Sequence, residues 1–177
     1  MPVKRLVMLF TFIVTIGMAT GLTAAEAQET PIQLSLFSPI QIAKEETSVK
    51  GLRLSLLYGR NVNLMGLDIG CVCWNTGNVK GFQYGLVGIT EGRFAGWQDN
   101  FWNQASDFAG FQSGGINKAD TAEGFQWGLV NITKSMSGFQ LGLLNMTENL
   151  NGLQIGILNV VSNKESLPVL PLVNWAF

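Results

Sequence analysis

The chain has 177 residues, a formal net charge of −1 and a charged fraction of 13%, about half the share usual in soluble proteins. It contains no histidine, which excludes Ser-His-Asp and Cys-His catalytic arrangements and most zinc sites. A nucleic-acid partner would need a clustered basic face, and the near-neutral net charge gives no reason to propose one.

The N-terminal residues have the pattern of a secretory signal peptide. Lys4 and Arg5 precede an apolar run of 13 residues, and Ala25-Glu26-Ala27 forms an A-x-A cleavage site. The run is shorter than the roughly 20 residues that a spanning helix needs, although an uncleaved N-terminal anchor is the alternative. We therefore predict a signal peptide at 1–27 and an exported, bacterial mature chain.

The mature chain, residues 28–177, is predicted to be one β domain, because a length near 150 residues suits one domain and no linker interrupts it. Its first segment, Pro31 to Ile42, alternates as a strand does. Pro39 should limit that strand to a sheet edge or break it.

One short motif then recurs eight times between residues 51 and 161, and it defines the protein. Its opening glycines are spaced by 15 or 14 residues, and the cleanest copies begin at Gly124 and Gly138. Such a fixed short period indicates a repeat-built array. The opening glycines are Gly51, Gly66, Gly81, Gly96, Gly110, Gly124, Gly138 and Gly152.

The motif has the period of a β-strand. If the glycine is position one, then positions two, four and six are large and apolar, as in Phe139, Leu141 and Leu143. Positions one, three and five are Gly, Gln and Gly, so the alternation has period two. Glycines this frequent disfavour a helix, and the domain is predicted to be all-β and glycine-rich.

Two all-β architectures compete: an antiparallel up-and-down barrel-like array of about ten short strands, and a β-solenoid. In a strictly alternating solenoid, position eleven would point inward and bury Glu91, Lys134 or Glu148 without a partner, at high cost. An antiparallel array leaves these residues in turns, and closure removes exposed strand edges. The prediction is therefore the barrel, with the β-solenoid as the alternative.

Position three identifies each repeat and predicts one contact. Arg53 and Asp68 occupy it in successive repeats, and opposite charges on neighbouring strands stabilise each other. We expect these two side chains to face each other across adjacent strands. The remaining repeats carry Gln83, Gln98, Gln112, Gln126, Gln140 and Gln154.

One irregular repeat is rich in aromatic residues, which suit a membrane interface or a ligand contact. The alternative is that they pack against one another inside the fold. They are Phe94, Trp97, Phe101, Trp102 and Phe108.

Two cysteines, Cys71 and Cys73, lie one residue apart and would share a face of a regular strand. They are either a redox or soft-metal pair or two small apolar side chains. C-x-C alone supplies half of a tetrahedral metal site.

The C-terminal strand, 167–177, ends with Trp175 and Phe177. This alternating ending resembles the signal that assembly machinery reads on bacterial outer-membrane barrel proteins, although Pro168 and Pro171 depart from that pattern. The alternative is an ordinary terminal strand.

The repeat G-[FL]-Q-x-G-[LIV]-x-N with the ending PLVNWAF resembles an uncharacterised family of bacterial surface-repeat proteins. The resemblance covers nearly the whole mature chain. It implies an exported β-repeat protein and carries over no activity and no catalytic residue.

These patterns predict a non-enzymatic structural protein of the outer membrane or cell surface, without a metal or cofactor. Its expected partner is membrane lipid or the outer-membrane assembly machinery. One alternative is a soluble periplasmic barrel that binds lipid or another small apolar ligand. A further alternative is a β-solenoid that acts as an adhesion surface.

Overall fold

The computed structural model describes residues 28–177, and the predicted signal peptide at 1–27 lies outside this range. The described chain consists of strands, which form one sheet in the order β2-β1-β3-β4-β5-β6. They are β1 (Glu29–Phe37), β2 (Ile40–Gln41), β3 (Ser48–Asn61), β4 (Leu64–Asn75), β5 (Val79–Val161) and β6 (Val169–Ala176).

Successive repeats stack in parallel and in register, so that each repeat forms one layer. Gly51 lies opposite Gly66 in the β3–β4 pair, and Gly66 lies opposite Gly81 in the β4–β5 pair. The same stacking continues within β5, where the opening glycine of each layer lies against the carbonyl of the preceding one. The fold is a β-solenoid.

The predicted antiparallel barrel is therefore wrong, and the solenoid alternative is right. The sequence argument failed because it assumed strict alternation around each layer. Two adjacent side chains point outward at positions six and seven, and again at eleven and twelve, as Lys134 and Ser135 show. Position eleven consequently never enters the interior, and Glu91, Lys134 and Glu148 are all exposed.

The opening glycine explains why the motif repeats as it does. In all eight copies its φ lies between 122° and 149°, a region that residues with side chains rarely adopt. A Cβ at Gly138 would also lie 2.1 Å from the carbonyl oxygen of Gly124 in the layer before. The backbones approach so closely at this position that no side chain fits between them.

The residues two places before the eight opening glycines form a continuous apolar column inside the solenoid. Its members are buried and form one cluster together with residues at position ten. This column fills the interior at the bend of each layer that follows the exposed, polar positions eleven and twelve. It consists of Val49, Leu64, Val79, Phe94, Phe108, Ala122, Met136 and Leu150.

Different strands close the two ends of the stack. The segment Pro31 to Ile42 breaks at Pro39 into β1 and β2; β1 adds a parallel strand to the first layer, and β2 folds back against β1. At the other end β6 runs antiparallel along the last layer, from Gly152 opposite Ala176 to Val160 opposite Val169.

Candidate interaction surface and polar interior

The glutamines at position three point inward and form a continuous amide ladder. Each is 0% exposed. From Gln98 onward, the Nε2 of each donates to the Oε1 of the glutamine one layer before it, at 2.7–2.9 Å. Buried polar groups are tolerated when they are hydrogen-bonded, so the ladder stabilises the interior of the stack.

The ladder ends on the predicted pair, Arg53 and Asp68. Gln83 Nε2 donates to Asp68 Oδ2 at 2.7 Å, while Arg53 Nε and Nη2 donate to the two carboxylate oxygens at 2.7 and 2.6 Å. Both side chains are 0% exposed. They face each other across adjacent strands, as their spacing predicts, although those strands are parallel.

The charged guanidinium of Arg53 is retained in this buried position by its partner. Burial alone lowers the pKa of Arg53, but the charge and hydrogen bonds of Asp68 outweigh that effect, and the pKa is raised overall. Because Asp68 only accepts, it also sets the direction of the glutamine ladder: every amide NH₂ points towards the carboxylate.

A second ladder, which belongs to the solenoid alternative and not to the predicted barrel, is built from the asparagines at position eight. Its amides donate in the opposite direction, from Asn103 to Asn117 and onward to Asn159, at 2.7–2.8 Å. The same NH₂ groups also donate to backbone carbonyls, for example from Asn131 to Leu141 O at 3.1 Å. The asparagine in the motif was the available signal, but its inward direction depends on the corner at positions six and seven.

Within residues 28–177, no group of three His, Cys, Asp or Glu side chains could hold a metal ion. The amides of the two ladders bond to one another or to the backbone, except that Gln154 Oε1 has no hydrogen-bond partner. The chemistry available to other molecules therefore lies on the outside of the solenoid.

Positions two, four and six point outward and form a surface that we call the apolar face. Leu86, Leu129 and Ile157 at position six are 61%, 54% and 66% exposed. Among the three positions in all eight repeats, Asp99 is the one charged residue. Large exposed apolar areas mark interaction or membrane sites.

The opposite side of the solenoid is polar. Charged residues cluster around positions eleven to fourteen, where Lys134 Nζ lies 2.8 Å from Asp120 Oδ1 in the neighbouring layer. At the N-terminal end, Lys50 Nζ and Glu29 Oε2 are likewise 2.8 Å apart. The molecule therefore has one apolar and one charged side.

The aromatic residues predicted as contacts divide between interior and surface. Phe94 and Phe108 are 0% and 2% exposed and stack with ring centroids 6.1 Å apart. They belong to the core, so the prediction that they contact a membrane or ligand is wrong. Trp97 and Phe101 are 47% and 61% exposed on the apolar face. Trp102 is half-buried beside them.

A groove of about 950 Å³ interrupts the apolar face where Ser113 replaces a large residue at position four. Trp97, Phe111 and Trp127 line it together with Asp99. The indole Nε1 of Trp97 donates to Ser113 Oγ at 3.2 Å, and Ser113 Oγ donates to Asp99 Oδ1 at 2.8 Å.

The two cysteines do not share a face, contrary to the expectation from a regular strand. Cys73 is buried at position eight, whereas Cys71 at position six is half-buried on the outer surface. The corner between them reverses the alternation. Burial raises the pKa of the Cys73 thiol well above its usual range, which keeps this thiol protonated and weakly nucleophilic.

The C-terminal residues Trp175 and Phe177 are 53% and 96% exposed. Asn174, which precedes Trp175 in β6, is 0% exposed and lies opposite Gln154 in the β5–β6 pair. The role of Trp175 and Phe177 as an assembly signal stays a prediction.

Comparison of the chain with protein-family models, curated proteins and solved structures gave no match. No helix in residues 28–177 has the length and apolar character to cross a membrane.

Proposed function

We propose that this protein is an exported, non-enzymatic β-solenoid that associates with the outer membrane or cell surface through its apolar face. The single observation that carries the proposal is the outward direction of positions two, four and six along the whole stack. The alternative of a barrel with an apolar lumen is not supported, because the interior is filled by amide ladders.

The dimensions of the apolar face support binding to an extended surface. Eight layers at about 4.8 Å spacing extend roughly 34 Å, and positions two to six add a width of roughly 13 Å. Burying the exposed half of one large apolar side chain stabilises association by about 1 kcal/mol. A dozen such side chains contribute about 12 kcal/mol, which is comparable with the cost of association, about 4–15 kcal/mol.

The charged side determines how the protein would lie on a bilayer. Placing Lys134 and Asp120 in hydrocarbon would be costly, so the solenoid does not cross the membrane. It lies in the interface with positions two, four and six in lipid and the charged residues around positions eleven to fourteen in water, like an amphipathic helix on a membrane surface.

Vesicle flotation of purified residues 28–177 tests this proposal. The variant Leu86→Glu/Ile157→Glu places two charges on the apolar face and should reduce the floating fraction at least tenfold. The control Ser135→Glu/Asn149→Glu adds the same charge on the polar side and should float like the parent. Fractionation of cells should place the parent protein with washed membranes.

Two results would contradict membrane association. One is a parent protein that remains monomeric and soluble beside vesicles of every composition. The other is a parent protein that forms a stable dimer and does not bind vesicles, while the variant Leu86→Glu/Ile157→Glu is a monomer. That result would assign the apolar face to contact with a second copy.

A further inference from the structure

The groove in the apolar face has a polar end that the rest of the face lacks. Position four reads Tyr84, Asp99, Ser113 and Trp127 in four successive layers, and position six is Gly115 beside Ser113. The small side chain of Ser113 opens the gap at position four, whereas the ring of Phe101 lies over Gly115. The half-buried Asp99 thus lines this depression beside Ser113, among mostly apolar side chains.

The charge of Asp99 is not neutralised by the protein. None of the ion pairs formed by residues 28–177 includes Asp99, and its carboxylate accepts one hydrogen bond, from Ser113. A ligand that enters the groove displaces water from this carboxylate. An uncompensated buried charge is costly, so a cationic ligand is favoured and an anionic ligand is opposed.

The walls around the carboxylate also favour a cation. Trp97 and Phe111 stand edge to face with centroids 5.6 Å apart, and Trp127 is 57% exposed on the other side of Ser113. Aromatic faces attract organic cations, quaternary ammonium groups above all. A carboxylate beside several aromatic rings is the chemistry that recognises an ammonium head group.

Beyond Trp127 the groove is apolar. Its floor is formed by Gly128 and Gly142, and Leu129, Leu141 and Leu143 line it. The layers of Asp99 and Leu141 are three spacings apart, or about 14 Å, which accommodates an extended alkyl chain of about ten carbons.

We propose that this groove binds an amphipathic ammonium compound. The ammonium lies against Asp99 between Trp97 and Trp127, and the alkyl chain follows Leu129, Leu141 and Leu143. The site lies on the same apolar face as the proposed membrane contact. Because it binds a single dissolved molecule, either proposal can fail without the other.

Calorimetric titration with dodecyltrimethylammonium below its micelle concentration tests the site, with dodecyl sulfate as the anionic ligand of equal chain length. The parent should bind the cation at least tenfold more tightly than the anion. Asp99→Asn should reduce that preference below threefold. The control Asp107→Asn removes an exposed carboxylate from the polar side and should leave the preference unchanged.

A second variant separates the groove from general detergent binding. Ser113→Leu restores the large residue of position four, fills the gap and should abolish saturable binding of the cation while the variant remains folded. Equal affinity for both detergents, an unchanged preference in Asp99→Asn, or undiminished binding in Ser113→Leu would each overturn the proposal.

Vesicles distinguish a lipid head group from a free amphiphile. If the ligand is a lipid ammonium, the parent should bind phosphatidylethanolamine vesicles more tightly than phosphatidylglycerol vesicles, and Asp99→Asn should lose that difference. Dodecyltrimethylammonium binding without any lipid preference would assign the site to a free amphiphile. Flotation on both lipids without dodecyltrimethylammonium binding would leave the membrane function standing and remove this site.

Discussion

At the scale of single residues, the interior is organised around one buried ion pair at the end of an amide ladder. Arg53 and Asp68 occupy positions that hold glutamine in every later layer. A buried pair of this kind contributes little compared with neutral replacements, yet losing one partner is costly. The ladder supplies its own neutral replacement, which makes the pair testable.

Replacing either charge alone should destabilise the protein. Asp68→Gln leaves the Arg53 guanidinium buried without its carboxylate, and Arg53→Gln leaves the carboxylate without its cation; we expect losses of about 3–5 kcal/mol for each. The double variant Arg53→Gln/Asp68→Gln extends the glutamine ladder by two layers and should recover most of the loss. Denaturant unfolding measures all three free energies, and additive losses in the double variant would refute this account.

At the scale of the element, the unit of the fold is the layer rather than the individual strand. Each layer contacts its neighbours through parallel strand pairing and one glycine approach. From Gln98 onward one glutamine bond is added, and in the later repeats one asparagine bond. In stacks of this kind stability is nearly a sum of layer and interface terms. Whole layers should therefore be removable.

Deletion of residues 124–137 removes one complete layer of 14 residues and joins Glu123 to Gly138. Gln140 should then donate to Gln112, and the shortened protein should fold with a β-type circular dichroism spectrum and cooperative unfolding. Deletion of residues 124–130 removes half a layer, misaligns every later inward position and should prevent folding. Equal behaviour of the two deletions would contradict the layer as the structural unit.

At the scale of the whole molecule, the ends of the stack require protection because exposed strand edges pair with other chains. β6 covers the last layer by running antiparallel along residues 152–160. This antiparallel strand interrupts the parallel stacking, so another copy cannot continue the solenoid from that edge.

Removal of residues 167–177 should cause end-to-end association in a non-ionic detergent that masks the apolar face. Sedimentation velocity would detect the oligomers. Trp175→Ala/Phe177→Ala keeps the β6 backbone and should stay monomeric. If those residues are an assembly signal, this variant should instead reduce delivery to the outer membrane in cells. A monomeric truncation would contradict the capping role of β6.

Much of the fold could be read from the repeat, because period and composition are local properties. The strands, the glycine spacing, the Arg53–Asp68 contact and the break at Pro39 all follow from residue order. The candidate groove could not be predicted, because it needs Asp99 and Ser113 to lie side by side although 14 residues separate them. Parallel stacking supplies that proximity.

The sequence by itself determined the all-β class, the layer length and the division between small and large positions. Tertiary structure alone decided the direction of the strands, because the pattern apolar-Gly-Gln-Gly-apolar reads alike both ways. It also decided which side chains lie inside: the corners at positions six to seven and eleven to twelve reverse the alternation. They expose Glu91, Lys134 and Glu148, separate Cys71 from Cys73 and turn the asparagines inward, because a closed layer requires bends that a straight strand does not show.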